Sequence, residues 1–218
     1  MLLTGCRACI FYLLLFISSC IYVFLIEFFH YLQIILKTDR YNDALRYLYA
    51  NTYLLILKMV GTNIYLEGNI KSGHILWISN HRSKLDAMLI TALLISNGSK
   101  VKVVAKNSLK YIPLIGYIFR FFEIIFIKRK IAEDKKILTK SAIDSCNNNN
   151  SIFIFPEGGT LSHDLKNRSD KYSTENNLPI FKNVALPKIT GFSIIQKEGN
   201  FSTIGDITIT YEKLTGLI

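Results

Sequence analysis

The run ACIFYLLLFISSCIYVFLI, from Ala8 to Ile26, contains no charged side chain. As a helix it is long enough to cross the hydrocarbon layer of a membrane. It is too long and too bulky for an ordinary signal peptide, and no small-residue cleavage site follows it. Apolar character resumes after Glu27 and continues to Leu36. One span and a re-entrant hairpin of two shorter helices both fit this pattern, and residues 1–36 are read as a membrane segment. Cys6, Cys9 and Cys20 lie in or beside it as membrane-adjacent thiols, with no pattern of a disulfide framework. Arg7 precedes the run, while Lys37, Arg40 and Arg46 follow it. For a single span, this excess of basic residues places the remainder of the chain in the cytosol.

The next stretch, residues 41–60, reads as an amphipathic helix that packs on the domain or lies at the membrane interface. Short apolar runs then alternate with helical patterns. Strands are expected near 62–66, 75–79, 101–105, 123–128, 151–155, 184–186 and 204–211, and helices near 84–96, 108–120 and 131–146. Such alternation predicts an α/β fold over residues 37–218, with a largely parallel central sheet flanked by helices. The net charge of +10 suits anionic lipid or an anionic substrate. Zinc-finger spacing and RNA-binding aromatic motifs are missing, so nucleic acid is not the expected partner.

Four polar clusters stand at the ends of apolar runs. In the first, NHRSKLDAM, His81 and Asp86 are five residues apart across a strand-to-helix junction. Asp86 can turn back to accept the imidazole Nδ1–H, leaving Nε2 as an outward-facing base. In isolation a helix-capping Asp beside a polar loop His is the favoured reading of this spacing. A metal site lacks a third ligand at a fitting spacing. The second cluster, FEIIFIKRK, ends a strand in Lys128 and Arg129; a guanidinium there suits a phosphate and a solvated basic edge fits equally well, and Lys106, closing another strand, has the same two readings. The third, IFIFPEGGT, places Glu157, Gly158 and Gly159 directly after a buried run. The fourth, NVALPKITGF, carries Pro187 and Gly191 in a turn.

Together and in this order, HRSKLD, FIKR, FPEG and LPKITGF resemble the four motifs of the phospholipid/glycerol acyltransferases, over about residues 40–212. Further stretches, such as IGDITITYEK, resemble the lysocardiolipin/lysophosphatidylinositol acyltransferase branch of the 1-acylglycerol-3-phosphate acyltransferases. Gly159 stands where that family commonly has Thr.

The resemblance implies an acyl-CoA-dependent lysophospholipid acyltransferase, an integral protein of the endoplasmic reticulum. His81 and Asp86 would be catalytic. Arg129, with Lys106, would hold the acceptor's phosphate, while Glu157, Gly158 and Pro187 would shape its pocket. It implies acyl-CoA as co-substrate, with no cofactor and no metal. A catalytically silent, membrane-anchored lipid-binding protein of the same fold is the alternative. A serine lipase is not expected, because no G-x-S-x-G elbow occurs.

Overall fold

The computed structural model describes residues 2–36 and 41–211. Helix α1 runs unbroken from Leu2 to Leu36, so the re-entrant hairpin within this segment is not formed. Lys37 and Arg40 lie outside the described residues. Helix α2, Tyr41–Met59, turns back along α1. The two meet along their length: Phe11 is edge-on to Tyr53, the Tyr22 hydroxyl lies 2.9 Å from Thr52, and Gln33 donates to Asn42.

Five strands follow, β1 (Ile75–Ser79), β2 (Val101–Lys106), β3 (Ile125–Ile127), β4 (Ser151–Ile154) and β5 (Thr203–Ile207), in the spatial order β3-β2-β4-β1-β5 and all parallel. Parallel strands are covered on both faces, which is why they read as near-continuous apolar runs. The alternation within each run sorts its residues between two cores. Trp77, Val103 and Phe153 face α1, α2 and α3 (Asp86–Ser96). Leu76, Val104, Ile152 and Ile154 face α5 (Ile131–Asn147) and α7 (Ile189–Gly199), which bring Leu138, Ala142 and Ile195. Where β1 meets β5, the Trp77 ring occupies the space above Gly205; a Cβ there would sit 2.1 Å from the indole.

Several expected elements differ. Residues 62–66 are not a strand: Ile64, Tyr65 and Leu66 are exposed. Nor are residues 184–186, because their backbone donors go to side chains: Ala185 N donates to Glu157 and Leu186 N to Ser169 Oγ. The helix expected over 108–120 is divided. A 3-10 turn, Asn107–Tyr111, precedes α4 (Ile115–Phe121), and the break falls at Pro113 and Leu114, the latter at φ +60°. Helix α6, His163–Glu175, was not expected; it is polar almost throughout, buries Ser173, and starts at a Ser162 cap that accepts from Leu165 N. Helix α7 replaces the turn expected beyond Pro187. Strand β5 ends at Ile207 rather than 211, because the chain beyond it pairs with the side chain of Asn80.

Candidate active site

In an open parallel sheet, ligands bind outside the carboxyl ends of the strands. All four motifs meet there. Strand β1 ends at Ser79 and delivers His81 to this edge, and α3 begins at Asp86. Asp86 is 0% exposed, and its oxygens are met by four donors. Oδ2 accepts from His81 Nδ1 (3.0 Å), Arg82 N (2.6 Å) and Ser83 N (2.8 Å), and Oδ1 accepts from the Tyr211 hydroxyl. Burial works against ionisation, but the bonds from His81, Ser83, Tyr211 and Arg82 outweigh it and hold the carboxyl below its ordinary range. The Tyr211 hydroxyl is pushed up, by burial first and then by the adjoining carboxylate.

A carboxylate only accepts, so the bond to Asp86 assigns the ring proton to Nδ1 and leaves Nε2 as an acceptor. Nε2 faces the Thr160 hydroxyl at 3.1 Å. The ring lies flat on Phe155, centroids 4.0 Å apart and planes 16° apart, which fixes its tilt. Its backbone is held as well: His81 N donates to Glu157 Oε1 (2.9 Å) and His81 O accepts from Leu161 N (2.7 Å).

Glu157 is 4% exposed, and its second oxygen accepts from Ala185 N at 3.0 Å. It therefore clips the His81 loop, the loop after β4 and the Asn183–Pro187 segment together. Any part it has in shaping an acceptor pocket is exerted through those loops. Gly158, at φ +72°, turns the chain outward, a backbone form that favours glycine. Its carbonyl accepts from Arg129 at 2.8 Å. The Cβ that Gly158 lacks would lie 3.4 Å from Lys188 Nζ, so two cations flank this one residue. Pro187 is exposed and sets the start of α7, where Lys188 N donates to Pro156 O at 2.8 Å. Lys106 ends β2 beside Ile127 of β3, at the same sheet edge and without a described contact to the dyad. Lys128 is drawn away by Glu133 at 2.8 Å.

Sequence reasoning missed Thr160, Lys188, Phe155, Asn80 and Tyr211 as parts of this site. The first four adjoin or lie within motif stretches, so their neighbours were the available signal. Tyr211 is 125 residues from Asp86, and nothing in the spacing announces their contact.

Residues 60–198 match the family model described as Acyltransferase. The chain belongs to the acyltransferase family. Among curated proteins, it is 33% identical over 144 residues to a probable 1-acyl-sn-glycerol-3-phosphate acyltransferase 5 of Arabidopsis thaliana, covering 63% of this chain and 38% of that protein. It is 32% identical over 167 residues to lysocardiolipin acyltransferase 1 of Gallus gallus, covering 72% and 44%. It is 28% identical over 199 residues to the 2-acyl-1-lysophosphatidylinositol acyltransferase of Saccharomyces cerevisiae, covering 73% and 49%. The chain thus spans less than half the length of these relatives. Its fold matches the crystal structure of the 1-acyl-sn-glycerophosphate acyltransferase PlsC from Thermotoga maritima, with a TM-score of 0.60 at 17% identity, covering 93% of this chain and 82% of that one.

Proposed function

We propose that this family member transfers a fatty acyl group from acyl-CoA to a free glycerol hydroxyl of a lysophospholipid. The acceptors named for its relatives, lysophosphatidate, lysocardiolipin and lysophosphatidylinositol, define the class. One observation carries the reading: an alcohol oxygen, that of Thr160, already sits 3.1 Å from Nε2 of a His–Asp pair. A glycerol hydroxyl replacing it would face a base oriented to take its proton. Nε2 accepts that proton as the oxygen attacks the thioester carbonyl. The C–S bond then breaks, and the departing CoA sulfur recovers the proton from the imidazolium. Asp86 holds the ring and balances its transient charge. General-base assistance of this type is worth roughly 10²–10⁴ in rate.

The phosphate of the acceptor fits the Gly158 turn, where the Arg129 fork and the Lys188 ammonium stand together, with Lys106 at the neighbouring strand end. The outer face of α1, with Phe16, Phe24 and Tyr31 exposed, supports membrane attachment, through which both substrates arrive from lipid. On this reading the protein works at the endoplasmic reticulum with its site toward the cytosol, as the basic flank of α1 suggests. The test is transfer of a labelled acyl group from acyl-CoA to a panel of lysophospholipids by the purified full chain. Transfer to none of them sinks the proposal.

The same contact favours a second reading, in which Thr160 is itself the nucleophile of a Thr–His–Asp arrangement. It would take the acyl group with release of CoA and pass it to the acceptor. Thr160→Ala separates the two. As a place-holder, Thr160 can be replaced with activity kept. As a nucleophile, its loss abolishes transfer, and the wild-type protein incubated with labelled acyl-CoA alone carries covalent label.

A further inference from the structure

We propose that Tyr211 is a positioning residue for the His81–Asp86 pair, and that the strap Thr208–Tyr211 exists to hold its hydroxyl on Asp86. The inference rests on the acyl-transfer reading. Beyond β5 the chain leaves the sheet, yet it is fastened: the Asn80 side-chain amide donates to Ile209 O at 2.9 Å, and its oxygen accepts from Ile209 N at 2.8 Å. This is a two-bond clasp between the strap and the residue that adjoins His81. Two residues further on, Tyr211 donates to Asp86 Oδ1.

Oδ2 is already bonded to His81 Nδ1 and to two loop amides. Without Tyr211, Oδ1 would be a buried carboxylate oxygen with no donor, and the carboxylate would gain by rotating or drawing in water. Either change slackens the bond that keeps the His81 proton on Nδ1. Tyr211 acts on the Nδ1 side of the ring, away from Nε2, so it is placed to affect the rate of the chemical step and not the binding of either substrate.

The experiment is Tyr211→Phe in the full chain, which removes the hydroxyl and keeps the ring. kcat should fall about tenfold, as expected for losing a hydrogen bond to a charged group. The KM values for acyl-CoA and for the lysophospholipid should stay within about twofold of wild type, because no substrate contact is lost. Independently of turnover, ¹⁵N spectra of the imidazole should show His81 as the Nδ1–H tautomer in the wild type and as a mixture in the variant. A residue that merely stabilised the fold would leave that tautomer alone. Should Tyr211→Phe fail to fold, Asn80→Ala opens the clasp and should give the same spectral change. Unchanged kcat, unchanged tautomer, or a loss confined to KM overturns the proposal. If the wild type transfers no acyl group, the acyl-transfer reading fails by itself, and the tautomer measurement still decides the role of Tyr211.

Discussion

The two halves of the site are built in opposite ways. Around His81 and Asp86, polar atoms are paired, with Asp86 and Glu157 buried and His81 half-buried: Asp86 meets four donors, Glu157 meets two backbone amides, and the imidazole lies on Phe155. Around Arg129 and Lys188 the side chains are exposed, and neither has a carboxylate partner among the described residues, although neighbouring Lys128 and Lys130 both pair with Glu133. A base that moves a proton must be held in one tautomer and one direction before substrate comes. A cation that receives a phosphate gains by having no resident anion to displace. On the proposed reading, this is why the dyad is tied to the fold while the cations are left available for a ligand. Substitutions in the first region should alter rate, stability or both, and those in the second should alter binding alone.

The largest expected effect is that of His81→Ala, which should lower kcat by about 10²–10⁴ with the chain still folded. Residual turnover above roughly a tenth of wild type would remove the histidine from its role. Asp86→Asn should cost nearly as much and should also destabilise the protein, because an amide cannot accept from all four donors. The stability part depends on pH. The Asp86 carboxyl lies below its ordinary value of 3.8 in the folded protein, so its contribution is complete above that value and is lost as pH falls through the depressed one. Melting curves of wild type and Asp86→Asn should thus converge on acidification; a constant gap would contradict the assignment.

Glu157→Gln would sharpen the contrast by showing that a motif residue can be a clip. It sets an NH₂ group against one of two backbone N–H donors, and chemical denaturation should report a loss of about 1–3 kcal/mol, with turnover falling as a consequence. On the exposed side, Arg129→Ala and Lys188→Ala should each raise the KM for the lysophospholipid by about tenfold, without lowering the melting temperature. Arg129→Lys should lie between, since a point charge replaces a planar fork. Equal weakening toward acyl-CoA would move the phosphate subsite to the other substrate. The smallest effect is expected of Gly159→Thr, which introduces the residue that the motif resemblance leads one to expect at this position. A Cβ there meets Arg129 and Leu165 at an ordinary 3.8 Å, so stability should shift by no more than about 0.5 kcal/mol.

What was legible in the sequence follows the same division. The parallel strands announced themselves, because a strand buried on both faces must be an apolar run. His81 and Asp86 were legible because they are five residues apart and their bond is local. Misreadings arose where long-range partners override local pattern. Ala185 looks like strand but gives its N–H to Glu157, 28 residues away. Helix α6 lacks an apolar stripe, since it buries Ser173 alone, and its Ser162 cap was the available signal. Lys188 reads as a surface lysine until the backbone turn at Gly158 brings the chain beneath it.

If the protein is membrane-bound, as proposed, helix α1 has a consequence for how it would meet a bilayer. Its 35 residues extend about 50 Å at roughly 1.5 Å per residue, against a hydrocarbon layer of about 30 Å. It is also a wall of the interior: Phe11, Leu15, Tyr22 and Ile26 are buried, and α2 packs against it between Phe11 and Gln33. Such a helix is no tether that leans while its cargo stays level. On the proposed membrane-bound reading, whatever tilt lipid imposes on α1 the sheet and the dyad would share, and the depth of His81 relative to the headgroups would follow the thickness of the membrane. Cutting the helix away to gain solubility would strip the cover from Tyr53 and its neighbours. Thinner or thicker bilayers, by contrast, would act as a dial on how readily a lysolipid hydroxyl reaches Nε2.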